Sequence, residues 1–289
     1  MSELSARIAK AQHIGDRPRQ EDAVAFHVAE GGEPTLAVLS DGMGGHADGD
    51  LASRIITGEV FGELYLAAAR PKAFARSSGI IFDAALNAAN QRLKESIEES
   101  LISKETGGTL ICTSVHNGEL RWLSVGDSML YLFREGQLRL LNDIHSLGAQ
   151  LDRMAAADEL PAEDAKDHPD RNCLTSAVTG GPIPKVDCPD QALALEAGDV
   201  ILLASDGIEA LKQRRLEKLI AQLREAGADL AAGVIEAIKT TGAEDQDNTS
   251  VIAIEISGPE ESPAPEVAPH ASPLASYWPR WGRDRGARA

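Results

Sequence analysis

Apolar residues change their spacing several times along this chain, and each change marks an element. Short apolar or alternating runs at 7–14, 24–28 and 36–40 predict three strands. Ala52, Ile56, Val60, Leu64 and Ala68 then recur at spacing four, which predicts a long helix stopped by Pro71. Ile81, Ala85, Ala89, Leu93 and Ile97 repeat the stripe for a second helix whose opposite side is rich in Glu and Lys. The period then shortens. Strands are expected at 109–115 and 120–125, joined by a turn carrying Asn117-Gly118, and at 130–134 and 138–141 around Glu135-Gly136. A short helix follows at 147–157, then strands at 192–195 and 200–204, helices at 215–224 and 230–240, and a last strand at 249–256. The acidic stretch 158–171, with Pro161 and Pro169, reads as a surface flap. Strands and helices do not alternate as parallel βαβ units do, so an antiparallel, layered α+β fold is expected.

That pattern runs unbroken to residue 256, so 1–256 is expected to be one domain within the 289-residue chain. From Ser257 the composition changes. Pro259, Pro263, Pro265, Pro269, Pro273 and Pro279 punctuate a segment poor in aliphatics, expected to be a disordered tail over 257–289. Its end gathers Tyr277, Trp278 and Trp281 among Arg280, Arg283, Arg285 and Arg288. This is either a solvated tail or a hook for a partner, a membrane surface or the acidic body itself.

Charge and cysteine usage narrow the class. There are 28 Lys plus Arg against 45 Asp plus Glu, a net charge of −17, which repels nucleic acid and favours solubility. No apolar run is long enough to cross a membrane, and the amino terminus shows no secretory signal. The 3 cysteines, Cys112, Cys173 and Cys188, are scattered and odd in number, which suits a reducing compartment and a structural role. A cytoplasmic protein is expected, with monomer as the default.

The chemistry lies in short acidic clusters far apart in sequence. They are Arg17-Pro18-Arg19-Gln20-Glu21-Asp22, Ser40-Asp41-Gly42-Met43-Gly44-Gly45-His46, Ser205-Asp206-Gly207 and Asp245-Gln246-Asp247-Asn248. Each adjoins a strand-like run. One Asp-Gly pair is an ordinary turn, but here the layout of strand followed by Asp-Gly occurs twice. Two buried strand ends carrying acids are costly unless a cation neutralises them. No Cys or His stands at metal-ligand spacing, so the site would be all oxygen and suit Mg²⁺ or Mn²⁺. An arginine beside it suits a phosphate, and the chemistry implied is metal-assisted hydrolysis of a phosphate ester.

Taken together and in order, Arg17 with Glu21-Asp22, Asp41-Gly42-Met43-Gly44-Gly45-His46, Gly107-Gly108-Thr109, Val125-Gly126-Asp127-Ser128, Ser205-Asp206-Gly207 and Asp247-Asn248 resemble the metal-dependent Ser/Thr protein phosphatases of the protein phosphatase 2C type, in their bacterial branch. The resemblance covers about residues 6–256. It implies an antiparallel β-sandwich of two sheets flanked by helix pairs, with a metal cleft at one end. Asp41 would bridge two Mn²⁺ or Mg²⁺ ions. Asp206 and Asp247 would complete one ion's shell; Asp22, partly through water, and the Gly42 carbonyl would serve the other. Glu21 would hold water in the surroundings of the ions, with Asn248 beside it. Asp127 would join Asp206 around a third, weaker ion, unless it only closes its own turn. Arg17 would bind phosphate, unless it only makes a surface ion pair. The ions would activate water for in-line attack on phosphoserine and phosphothreonine in proteins, and the implied partner is a cognate Ser/Thr kinase with its substrates.

The sequence departs from that family in places. Met43 stands where animal relatives carry a histidine that is a candidate general acid, and His46 is a weak substitute. Met129 replaces a common arginine. His145-Ser146 resembles a structural segment, and the 158–171 flap occupies the place of a mobile loop beside the cleft. Other readings stay open: a phosphatase for a stress-pathway anti-sigma antagonist, whose relatives usually carry sensor domains; a phosphoprotein-binding scaffold without turnover, which would be expected to lack some of these acids; and an adaptor working through the tail.

Overall fold

The computed structural model describes residues 4–29, 32–44 and 48–258, so the tail beyond Gly258 and His46 lie outside the described residues. The strands are β1 (Ser5–His13), β2 (Asp22–His27), β3 (Thr35–Met43), β4 (Gly107–Gly108), β5 (Leu110–His116), β6 (Glu119–Val125), β7 (Met129–Arg134), β8 (Gln137–Leu140), β9 (Leu193–Ala194), β10 (Val200–Ala204) and β11 (Thr249–Ser257). The helices are α1 (Gly49–Ala68), α2 (Pro71–Glu98), α3 (Leu147–Ala156), α4 (Ala162–Lys166), α5 (Gln213–Glu225) and α6 (Leu230–Lys239), with a 3₁₀ turn at Asp206–Ala210.

Two antiparallel sheets form. One has the order β1-β11-β10-β7-β8; the other runs β2-β3-β5-β6-β9, with β4 pairing on β3. Their central strands are apolar on both faces because both faces are covered. On β3, Ala37 and Leu39 meet Ile201, Leu203, Ile252 and Ile254 between the sheets, while Leu36 and Val38 pack under α1 and α2 with Ile56, Leu64 and Phe82. On the far side, Leu202 and Val251 pack against Leu216, Ile220 and Val234 of α5 and α6. The layers are therefore helix pair, sheet, sheet, helix pair, the expected α+β sandwich.

Asn117 and Glu135 adopt φ of 52° and 51° and are followed by glycines at 75° and 80°, the left-handed pair of a tight hairpin turn that matches strand twist. Pro71 does not merely follow the first helix. It sits at the start of α2, where its missing N–H is harmless, so the second helix begins a full ten residues before its expected stripe at Ile81. The stretch 158–171 lies at the surface as expected, but it is partly ordered. It contains α4, buries Ala165, and is drawn back to α3 by a paired contact from Arg171 to Asp152 at 2.7 and 3.0 Å. His145 and Ser146 are structural: the His145 ring Nδ1 accepts the Gly126 N–H at 3.2 Å, and the Ser146 hydroxyl caps α3 through the Ala149 N–H.

Candidate metal centre

One end of the sandwich carries a cleft of about 1100 Å³. Its walls include Arg17, Glu21, Asp41, Gly42, Asp127, Asp206, Asp247 and Asn248, brought together from the β1–β2 loop, the end of β3, the β6–β7 turn, the 3₁₀ turn and the loop before β11. The opposite wall is the segment from Asn172 through Pro184, not the 158–171 stretch expected there. Cys173 is exposed on that wall, while Cys112 is buried in the core.

Pairing in the sheets sets the acids. Asp22 and Asp41 are direct partners across β2 and β3, a placement that like charges disfavour. Asp22 is buried below the cleft rather than lining it, at 6% exposure. One of its oxygens accepts the Ser205 hydroxyl at 2.8 Å, and Ser205 in turn accepts the Ser250 N–H at 2.9 Å. Its other oxygen has no partner. Asp41 is held by its own N–H, which donates to Thr109 Oγ1 at 3.0 Å; that hydroxyl shares a 2.7 Å hydrogen bond with Ser128. Asp206 lies within hydrogen-bonding reach of the Asp41 carboxyl, yet its Oδ1 is buried without a partner. Asp247 accepts the Arg17 guanidinium at 2.7 Å. Asn248 is a clamp: its side chain accepts the Glu21 N–H at 2.6 Å and donates to the carbonyls of Ile14 and Arg19 at 2.7 and 3.0 Å.

The electrostatics follow from this crowding. Burial, then the charges of Asp22, Asp206, Asp127 and Asp247, push the Asp41 carboxyl well above the ordinary carboxylate range. Burial raises Asp22 to about 6 against the help of Ser250 and Ser205, with Asp206 and Asp247 adding to the rise. Burial and Asp206 raise Asp127 to about 7. Asp206 is raised by burial and by Asp247, and Glu21 by burial, Asp50 and Asp247. The Glu21 carboxylate lies against the amino end of α1, where a side chain added at Gly49 would come within 2.8 Å of it.

Among the described residues, no three His, Cys, Asp or Glu side chains already surround one point as a metal shell. The fit to cations rests instead on the orphaned, buried oxygens of Asp22 and Asp206 and on the mutual repulsion that a bound cation would reverse. The donors are all oxygen, which suits a hard divalent ion.

Sequence reasoning named the acids but gave no role to their supports. Thr109, Ser128 and Ser205 lay inside the quoted motifs, and the signal was there: a hydroxyl residue flanks the strand ends that carry acids.

The comparisons agree with this architecture. Residues 10–234 match the model of the protein phosphatase 2C family. The chain is 27% identical over 226 residues to the serine/threonine phosphatase stp of Listeria welshimeri, covering 76% of this chain and 84% of that one. The crystal structure of the Mycobacterium tuberculosis serine/threonine phosphatase PstP/Ppp superposes with a TM-score of 0.72 at 25% identity, over 87% of this chain and 99% of that one. A structure of the PstP catalytic domain in complex with 2 manganese ions superposes at 0.69, also at 25% identity, over 88% and 99%.

Proposed function

The chain belongs to the protein phosphatase 2C family, and from that premise we propose which of its residues carry the hydrolysis of phosphoserine and phosphothreonine on proteins. Two divalent ions, when bound, would supply an activated water and neutralise charge on the phosphoryl group. Asp41, at the centre of the acids, is assigned to both ions, Asp206 and Asp247 to one, and the Gly42 carbonyl and Asp22 to the other. Because Asp22 lies beneath the cleft, its part runs through a bridging water or through charge alone. Asp127 is assigned to a weaker third ion beside Asp206.

The remaining residues bind and orient. Arg17 stands at the cleft mouth, where its planar fork suits a phosphate and offsets the charge that grows on the equatorial oxygens. Glu21 accepts a hydrogen bond from water at the cleft floor. Met43 lines the same cleft and cannot donate a proton, so proton delivery to the departing serine or threonine oxygen is assigned to water. Mn²⁺ is the preferred ion in this reading, since a relative's structure holds two, and Mg²⁺ is the alternative. A cytoplasmic location is proposed for the chain, and a cognate Ser/Thr kinase and its substrates are the proposed partners by family analogy. Among the described residues no helix is long and apolar enough to cross a membrane.

The observation that carries this reading is the convergence of Asp22, Asp41, Asp206 and Asp247, with buried, unpartnered oxygens on Asp22 and Asp206, under a cleft that Arg17 overlooks. Metal-stripped protein is expected to be inactive on a phosphothreonine peptide and to recover with Mn²⁺ far better than with Ca²⁺. Asp41→Asn is expected to lose about a thousandfold or more in turnover with its fold intact. Undiminished hydrolysis by that variant would remove the assignment.

A further inference from the structure

Gln246 sits in the loop between α6 and β11, directly before Asp247, and is half-buried. It contacts three segments at once. Its side-chain Nε2 donates to the Gly207 carbonyl, to the Asp247 carbonyl and to Thr249 Oγ1, each at 3.1 Å. Its own N–H donates to Asp16 Oδ2 at 2.9 Å, and its carbonyl accepts the Asp16 N–H at 2.8 Å. The preceding Asp245 adopts a φ of 57°, uncommon for a residue with a side chain, which turns the chain into this position.

Each of the three segments carries a group of the centre. Gly207 follows Asp206 in the 3₁₀ turn. Asp247 is the next residue. Asp16 precedes Arg17, which itself reaches Asp247 at 2.7 Å. These segments belong to no common strand ladder at that point. Gln246 joins the Asp206 turn, the Asp247 loop and the Arg17 loop through one residue.

We propose that Gln246 is a positioning residue that fixes the spacing between Asp206 and Asp247, and thereby sets the divalent-ion affinity of the pair. The inference rests on the assignment of those two aspartates to one ion. The physical reason is geometric. Two carboxylates that must share a cation repel each other before it arrives, and a donor tied to the backbone of both segments holds them within reach. Contacts of this supporting kind commonly govern metal affinity about as strongly as a loss of tenfold or more on removal. Thr249 Oγ1, the third acceptor, ties the same amide to the first residue of β11, so the whole constellation is referenced to the sheet.

Two variants test this. Gln246→Met keeps the length and the apolar stem but removes both N–H donors. Gln246→Asn keeps the amide and withdraws it by one methylene from Gly207. Mn²⁺ binding to the metal-stripped full chain, followed by titration calorimetry, is expected to weaken about tenfold in both. The melting temperature of the metal-free protein serves as the control for simple loss of structure, because a general destabilisation lowers it without changing the Mn²⁺ constant of the folded fraction. Mn²⁺ dissociation constants within threefold of wild type in both variants overturn the proposal, whatever the melting temperatures do. A wild-type protein that shows no saturable Mn²⁺ binding fails differently: it removes the metal assignment itself, before Gln246 is reached.

Discussion

Asp41-Gly42 and Asp206-Gly207 look interchangeable in the sequence, since each ends an apolar strand with the same dipeptide. The backbone uses them differently. At the first, β3 continues through the pair to Met43, and Gly42 and Met43 pair with Gly108 and Gly107 of β4. At the second, β10 has already ended at Ala204, and Asp206 opens a 3₁₀ turn. Neither glycine has a positive φ. What they share is a lack of room. A Cβ on Gly42 would collide with the Gly49 carbonyl and lie 2.7 Å from that of Glu21; one on Gly207 would collide with the Asn248 carbonyl and the Thr249 hydroxyl. The dipeptide therefore encodes close approach of a neighbouring segment of the site, and not a particular turn.

The comparison breaks most visibly if the glycines are filled. Gly42→Ala meets backbone on two sides, and backbone of a sheet and of a helix start cannot swing away. It is expected to lose about 3 kcal/mol or more in urea unfolding. Gly207→Ala faces one backbone carbonyl and one rotatable hydroxyl, and is expected to lose less, about 2 kcal/mol. Both variants within about 1 kcal/mol of wild type would show that close approach is not what these positions protect.

This difference also shows how far the sequence could be read. The strands, both helix pairs and the hairpins at Asn117 and Glu135 are carried by periodicity and turn chemistry, which are local. The clustering of Asp22, Asp41, Asp206 and Asp247 was legible as a family motif and as repeated acids at strand ends. The register that sets Asp22 opposite Asp41 was not, because it is fixed by pairing between strands. Nor was the depth of Asp22, where the Ser205 hydroxyl, itself held by the Ser250 N–H, reaches it from the other sheet. The 3₁₀ turn at Asp206 and the short β4 escaped because five and two residues carry no period. In the 158–171 stretch acidity and proline signalled the surface exposure that is seen, but they say nothing of α4 or of Arg171 tying it to α3.

A smaller effect separates the two strand ends through their charge. The raised carboxyls of Asp22, near 6, and Asp127, near 7, and the raised Asp41 and Asp206, all favour the protonated form in the folded protein. A folded pKa above the unfolded value gives stability that is fully present below about pH 4 and lost as pH rises through 6 to 7. Metal-free protein is therefore expected to melt roughly 5 °C lower at pH 8 than at pH 5 from these groups. Mn²⁺ should recover more at pH 8 than at pH 5, because cations bind the ionised form. A Mn²⁺ shift that is the same at both pH values would sink the link between the buried acids and the ions.

The smallest expected effect falls on Asp127, which stands on the Asp206 side of the comparison. Two roles compete for it. Its carboxyl is raised by burial and by the Asp206 charge, as a ligand for a weak ion beside Asp206 would be, but a hydrogen bond to its own backbone N–H pulls the other way, as a turn-closing residue would show. Asparagine keeps the acceptor for that N–H and removes the charge. If the turn is all that Asp127 serves, Asp127→Asn should leave turnover at saturating Mn²⁺ unchanged while relieving repulsion, so the metal-free protein at pH 8 gains stability. If it serves an ion, the same gain appears, but turnover falls about tenfold, well short of the loss at Asp41. Stability alone cannot separate the roles, since both predict the gain. Turnover at saturating Mn²⁺ does, and an undiminished rate would return Asp127 to the hairpin corner and leave Asp206 to the paired ions alone.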